Sequence, residues 1–161
     1  DYGDDVYHYL MYQLGSADVE DLVQEVFIKA FMGYHAYEQR ANPKTWLFSI
    51  ARNVWLDEMR KQKRLKLKAY LLFQEKKDSQ TCPAPEKNLE LTEEYEELYR
   101  AIQSLKPHFR EVIILRGIKE LSVTETAYIL GWKENKVRTT YHRAKKALKK
   151  ILGELSYEFS F

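Results

Sequence analysis

Between residues 19 and 31 the apolar side chains Val19, Leu22, Val23, Val26, Phe27, Ala30 and Phe31 fall at i, i+3, i+4, i+7, i+8, i+11 and i+12. That spacing gathers them on one face of an α-helix and on no face of a strand. Leu91, Tyr95, Leu98, Ile102 and Leu105 repeat the pattern at i, i+4, i+7, i+11 and i+14. No stretch alternates with period two, and the chain holds only six glycines and four prolines in 161 residues. The pattern therefore predicts an all-α fold.

The breaks between these runs organise the chain. A first helix over about 4–14 is ended by Gly15 and Ser16, and Asp18 is placed to cap the second. Residues 34–43 read as a loop closing on Pro43, a residue suited to the first turn of a helix. The third helix is expected from about Lys44 to Arg64, with Trp46, Ile50 and Val54 on an apolar line. Asn53, Asp57, Arg60 and Arg64 fall on a polar one. Between 65 and 90 the composition changes: Pro83 and Pro85 stand among Ser, Thr, Asp and Lys, as in a flexible linker. These breaks predict two small helical domains, 1–66 and 90–161, joined by a linker over 67–89.

Charge is distributed in blocks. Residues 1–34 hold seven acids and one base, Lys29, whereas 35–68 carry a net +6 and 107–152 a net +7, with a net −3 between them. Two separate basic surfaces fit two contacts with a polyanion, and each alone also reads as a solvated face. The four histidines and Cys82 show no metal-ligand spacing, and no phosphate-loop or metalloprotease motif is present, so no cofactor is expected and an enzyme has no support. A single cysteine forms no internal disulfide and fits a reducing compartment. With no membrane-spanning run and no signal-peptide pattern, the chain reads as cytosolic. It opens on Asp1 rather than Met, so a few native residues are expected to precede it.

The strongest local motif lies at 122–152. Ser122-Val123-Thr124-Glu125 is a capping box, and the helix it starts stops at Gly131. A second helix follows from about Glu134 to Leu152. This is a helix-turn-helix pattern, in which the second helix enters the major groove of DNA. On it Val137, Tyr141, Ala144, Leu148 and Ile151 share one arc, the expected buried side. Lys136, Arg138, Thr139, His142, Arg143, Lys145, Lys146, Lys149 and Lys150 lie outside the arc, and on this helix no acid follows Glu134. Such a face suits phosphate contact with base-reading residues near the helix N-terminus, and an ordinary lysine-rich surface helix is the competing reading. In the first half an acidic helix precedes a basic one, which points to two partners, a protein and a nucleic acid. Tyr34, Tyr37, Trp46 and Trp55 are interleaved with bases there, as stacking platforms for single-stranded bases are, although each also suits a core.

The string ADVEDLVQEVFIKAF at 17–31, followed by PKTWLFSIARNVWLDEMRKQ at 43–62, resembles region 2 of extracytoplasmic-function sigma factors of the sigma-70 family. LKPHFREVIILR at 105–116 with LSVTETAYILGWKENKVRTTYHRAKKALKK at 121–150 is similar to their region 4. The resemblance implies a promoter-recognising subunit of RNA polymerase with no catalysis of its own. Core polymerase, promoter DNA and an anti-sigma factor are the implied partners. It implies that Asp21, Gln24 and Glu25 dock on the polymerase β′ clamp. The loop from Tyr37 to Lys44, with Arg40 and Asn42 exposed, would capture a flipped base of a −10-type element. Arg52, Asn53, Asp57 and Arg60 would meet the adjoining duplex edge. Lys136, Arg138, Thr139, His142, Arg143 and Lys146 would meet a −35-type element, with the flap of the β subunit as region 4's partner. Trp46 would be structural, and the linker would thread toward the polymerase channel. Two rivals stand beside this: a stand-alone helix-turn-helix regulator, and an inactive paralogue that serves as an interaction protein.

Overall fold

The computed structural model describes residues 1–15, 18–73 and 93–153, and all their regular structure is helical. The first unit contains α1 (Tyr2–Leu14), α2 (Glu20–Gly33), a 3-10 turn (Tyr34–Ala36) and α3 (Pro43–Leu72). The second contains α4 (Glu93–Ser104), α5 (Pro107–Val112) running into a π-helical segment (Ile113–Ile118), α6 (Val123–Leu130) and α7 (Glu134–Leu152). Cys82, Pro83, Pro85 and the aromatic tail 155–161 lie outside the described residues.

Local chemistry sets most helix ends. Asp1 caps α1 through Gly3 N–H, and Gly15 closes it in the left-handed region at φ 70°. Asn42 caps α3 by accepting from Thr45 N–H at 2.8 Å, with Pro43 in the first turn. The capping box forms as read: Ser122 Oγ accepts from Glu125 N–H at 3.0 Å, and Glu125 accepts from Ser122 N–H at 2.9 Å. Gly131 ends α6 at φ 67°, its N–H bonded to the Ala127 carbonyl. From Glu111 and Val112 of α5 through Ile113, Ile114 and Leu115 of the π-helical segment, every residue is buried, so this stretch is covered all round.

Several expectations are corrected. The N-cap of α2 is Val19 rather than Asp18, and it makes no side-chain capping bond. Val19, Val26 and Ala30 are buried, but Phe27 and Phe31 point outward, because α2 buries a narrower arc than its apolar residues occupy. On α3 the buried positions are Leu47, Phe48, Ala51, Val54 and Trp55, while Trp46 and Ile50 flank them half-buried. That helix continues to Leu72 instead of ending near Arg64, and it carries Leu65, Leu67, Tyr70, Leu71 and Leu72 exposed. Tyr95 is exposed on α4. On α7, Thr140 and Leu152 are buried where Ile151 was expected.

The two units share one apolar cluster, from Val6, Tyr9 and Phe48 through Ile102 to Ile114 and Leu148. Polar contacts line the seam. The Tyr12 and Tyr99 rings meet at 5.6 Å, and Tyr99 Oη donates to the Met11 carbonyl at 3.3 Å. Burial, with Tyr12 beside it, pushes the Tyr99 hydroxyl up to about 12. Gln103 donates to the Tyr12 carbonyl. Arg110 donates to the carbonyls of Ile102, Gln103 and Leu105 in its own unit and of Gln13 in the other.

Candidate nucleic-acid interface

The second half of the helix-turn-helix presents its cations to solvent. Lys136, Arg138, Thr139, His142, Arg143 and Lys146 are all exposed on α7, opposite buried Val137, Ala144 and Leu148. Two of them are held in place near the helix start. Arg138 donates to Glu134 at 3.2 Å and to Asn135 at 3.1 Å, and Glu134 in turn accepts from Thr124 of α6 at 2.8 Å. Lys136 lies over the Trp132 ring at 4.2 Å. These contacts fix the first turn of α7 against the preceding turn without consuming the remaining cations. Arg116 supports the helix from behind, stacked on Tyr141 at 5.2 Å and donating to the Leu121 carbonyl.

The loop before α3 has its own internal frame. Tyr37 stacks on Trp46 with ring centroids 4.6 Å apart and donates through its hydroxyl to the Ala41 carbonyl. Gln39 takes a left-handed φ of 55°, an uncommon conformation for a residue other than glycine. Arg40 stands exposed there, paired with Glu38 at 2.6 Å. Asn42 is also exposed, as expected, but it is not idle. Its oxygen caps α3 and its amide donates to Glu125 Oε1 at 3.1 Å. Tyr34 is exposed and Trp55 is buried, so the four interleaved aromatics divide between surface and core.

Along α3 the candidate residues separate. Asn53, Asp57 and Arg60 are exposed on one side, with Arg60 donating to Asp57 at 3.0 Å. Lys29 links Glu25 of α2, at 3.1 Å, to Asp57, at 3.9 Å. Arg52 faces the seam instead, its Nε 2.8 Å from Glu111 Oε1 of α5, with side-chain exposures of 19% and 7%. Lys44 pairs with Asp5 of α1 at 3.4 Å, and Lys119 reaches the other oxygen of that carboxylate at 3.3 Å. Burial pushes the Asp5 carboxyl up, and the two ammoniums outweigh it, leaving Asp5 below the ordinary carboxylate value. Lys119 is lowered by its own burial, which Asp5 only partly offsets.

Asp21 and Gln24 are exposed and Glu25 half-exposed on the outer face of α2. Sequence reasoning missed what continues that face: Ile28, Phe31 and Met32 are 59%, 83% and 76% exposed. A polar first turn followed by bare apolar side chains is the composition of a protein contact rather than of a solvated helix. The helical angle of Ile28 and Met32, close to that of Asp21, was the available signal. No comparable signal marked Glu111 or Asp5, whose partners lie far away in the chain. Among the described residues no group of His, Cys, Asp and Glu is arranged to hold a metal ion, and no helix is long and apolar enough to cross a membrane.

Residues 1–65 match the family described as Sigma-70 region 2, and residues 95–148 match Sigma-70, region 4. Over 165 aligned positions the chain is 40% identical to the ECF RNA polymerase sigma factor SigX of Bacillus subtilis (strain 168), covering 98% of this chain and 82% of that one. It is 30% identical to SigW of the same organism, covering 96% and 86%. The sigma factor RpoE, solved in complex with the anti-sigma factor NepR from Bartonella quintana, superposes with a TM-score of 0.76 at 27% identity, covering 97% of this chain and 94% of that one. CnrH, solved with the cytosolic domain of CnrY, shares the fold at 23% identity and a TM-score of 0.63.

Proposed function

This chain belongs to the extracytoplasmic-function sigma factors of the sigma-70 family, and from that premise we propose how its surfaces divide the work. As an alternative sigma factor it binds core RNA polymerase and directs promoter-specific initiation. The observation that carries this is the presence of both sigma regions in one chain, at 1–65 and 95–148. A stand-alone helix-turn-helix regulator has no use for the first. Sigma factors are non-enzymatic initiation factors, and we assign this chain no catalytic step of its own.

Region 2 spans the first helical unit and region 4 the second, with the linker between them. The outer face of α2 docks on the β′ clamp. Asp21, Gln24 and Glu25 supply polar contacts, and Ile28, Phe31 and Met32 supply the apolar area that gives such interfaces their affinity. The loop with Arg40, Asn42 and Lys44 meets the −10-type element. Extruding a base costs a few kcal/mol, which stacking and hydrogen bonds in the loop must return. Arg52, Asn53, Asp57 and Arg60 meet the neighbouring duplex edge. On α7, Lys136, Arg138 and Thr139 near the helix start read base edges of the −35-type element. His142, Arg143 and Lys146 follow along the backbone. Region 4 also meets the β flap. An anti-sigma factor is the proposed regulator, by analogy with the complex of RpoE and NepR. The protein works where polymerase and chromosome meet, in the bacterial cytoplasm.

The test is transcription in vitro with purified core polymerase, this protein and a library of genomic promoters. Specific start sites that vanish with Asp21→Lys/Glu25→Lys support the assignment. Absence of specific transcripts from the wild type, with salt-sensitive duplex binding by the free protein, would overturn it.

A further inference from the structure

We infer that the exposed end of α3 is a peripheral docking site for an anionic lipid surface, taking headgroups on its cations and the edge of the acyl layer on an apolar stripe. From Lys61 to Phe73 every residue is exposed, so the last turns of this helix add nothing to the core. None of them is assigned to polymerase or promoter.

The stripe is regular. Leu65, Ala69, Leu72 and Phe73 fall at i, i+4, i+7 and i+8, within an arc of about 100° at 100° per residue. Leu65, Leu72 and Phe73 are 57%, 69% and 63% exposed. Lys61, Lys63, Arg64, Lys66 and Lys68 all lie outside that arc, and no acid occurs between Glu58 and Phe73. None of these cations forms an ion pair among the described residues. Lys61 and Arg64, Lys63 and Lys66, and Arg64 and Lys68 stand three or four positions apart, where like charges repel on a helix. The free segment thus carries two costs, apolar area in water and uncompensated positive charge.

A single partner relieves both only if it is anionic and apolar side by side. A nucleic acid meets the cations with phosphates, as continuity with Arg60 allows, but leaves the stripe in water. A bilayer of anionic lipid meets both, with headgroups at the level of the lysines and acyl chains just beneath. Tyr70, beside the stripe, is the kind of side chain that sits at headgroup level. Lys61 to Leu72 extends about 17 Å at 1.5 Å per residue, little more than half of a hydrocarbon core of about 30 Å. The helix therefore lies on the surface and does not cross it. Attachment through charge and a short stripe is reversible and weakened by salt.

The experiment mixes the full chain with vesicles of phosphatidylglycerol or of phosphatidylcholine and reads the bound fraction by sedimentation. Circular dichroism shows that each variant is folded. The expected result is binding to phosphatidylglycerol, little to phosphatidylcholine, and release by salt. Leu65→Ser/Leu72→Ser should reduce the affinity about tenfold or more. Leu67→Ser/Leu71→Ser removes the same apolar area from the opposite side of the helix and should reduce it no more than about threefold. Lys63→Gln/Lys66→Gln should reduce it about twentyfold, roughly fivefold per charge. A wild-type protein that stays in solution with phosphatidylglycerol vesicles overturns the proposal, as does an equal loss from the two leucine pairs. Absence of vesicle binding, with weaker holoenzyme binding to promoter duplex in Lys63→Gln/Lys66→Gln, would assign the segment to nucleic acid instead.

Discussion

Arg110 Nη2 donates to the Gln103 carbonyl at 2.7 Å, and the same guanidinium reaches the Gln13 carbonyl at 3.4 Å, so one side chain ties the ends of α4 and α1 together. The last carbonyls of a helix have no partners within it, and here a single cation serves several of them. Burial lowers its affinity for the proton, with Tyr99 and Glu111 opposing, and arginine stays charged regardless. Replacing it with Met leaves those carbonyls unsatisfied. Arg110→Met should cost about 2–3 kcal/mol in urea unfolding, and Arg110→Lys most of that, because an ammonium cannot span the same fork.

Asp5 provides a pH test of the seam. Its folded value is lowered from the ordinary 3.8, so its contribution to stability is complete above that value and disappears as pH falls through the lowered one. The thermal midpoint of Asp5→Asn should lie below wild type at pH 6. The gap should close in strongly acidic buffer. A gap that persists there would assign the contribution to packing rather than charge.

Phe31 is 83% exposed and belongs to no core, so Phe31→Asp should leave the unfolding free energy within about 0.5 kcal/mol of wild type. Its effect should fall on core polymerase instead. Titration of fluorescent protein with core enzyme should show affinity reduced about tenfold or more, as expected for an aromatic anchor.

Arg143 and Lys146 are exposed on α7 and form no ion pair among the described residues. Each substitution by Ala should reduce the salt dependence of holoenzyme binding to promoter duplex by about one unit in the slope of log K against log salt. The loss should be similar across promoter sequences, since phosphate contact carries no sequence information. Arg138→Ala should instead relax preference at one base position.

What was legible in the sequence divides along local and non-local lines. Ser122, Glu125 and Gly131 announced the helix-turn-helix because caps and left-handed turns are decided within a few residues. Pro43 announced the start of α3 for the same reason. Phe27 and Phe31 were misread because periodicity reports that a face is apolar, not what covers it. Ile151 was misplaced by one position because Leu152 lies within a turn of the same arc. The sequence groups Arg52, Asn53, Asp57 and Arg60 on one helix, but the division between outward Asn53, Asp57 and Arg60 and inward Arg52 was not legible in it. That division depends on Glu111, 59 positions away. No local rule relates two such residues.

The two left-handed glycines lead to different tolerance profiles. A side chain at Gly131 would meet nothing within 4 Å, so only the backbone at φ 67° resists replacement. Substitutions there should rank by how readily each residue enters that conformation, Asn first and β-branched residues last, whatever their volume. At Gly15 a Cβ would lie 2.8 Å from Gln103 Oε1, whose amide holds the Tyr12 carbonyl across the seam. There a methyl group is already felt by the other half of the protein. Saturating position 131 thus measures the handedness of a corner alone, while saturating position 15 adds to the same handedness how readily Gln103 gives way across the seam.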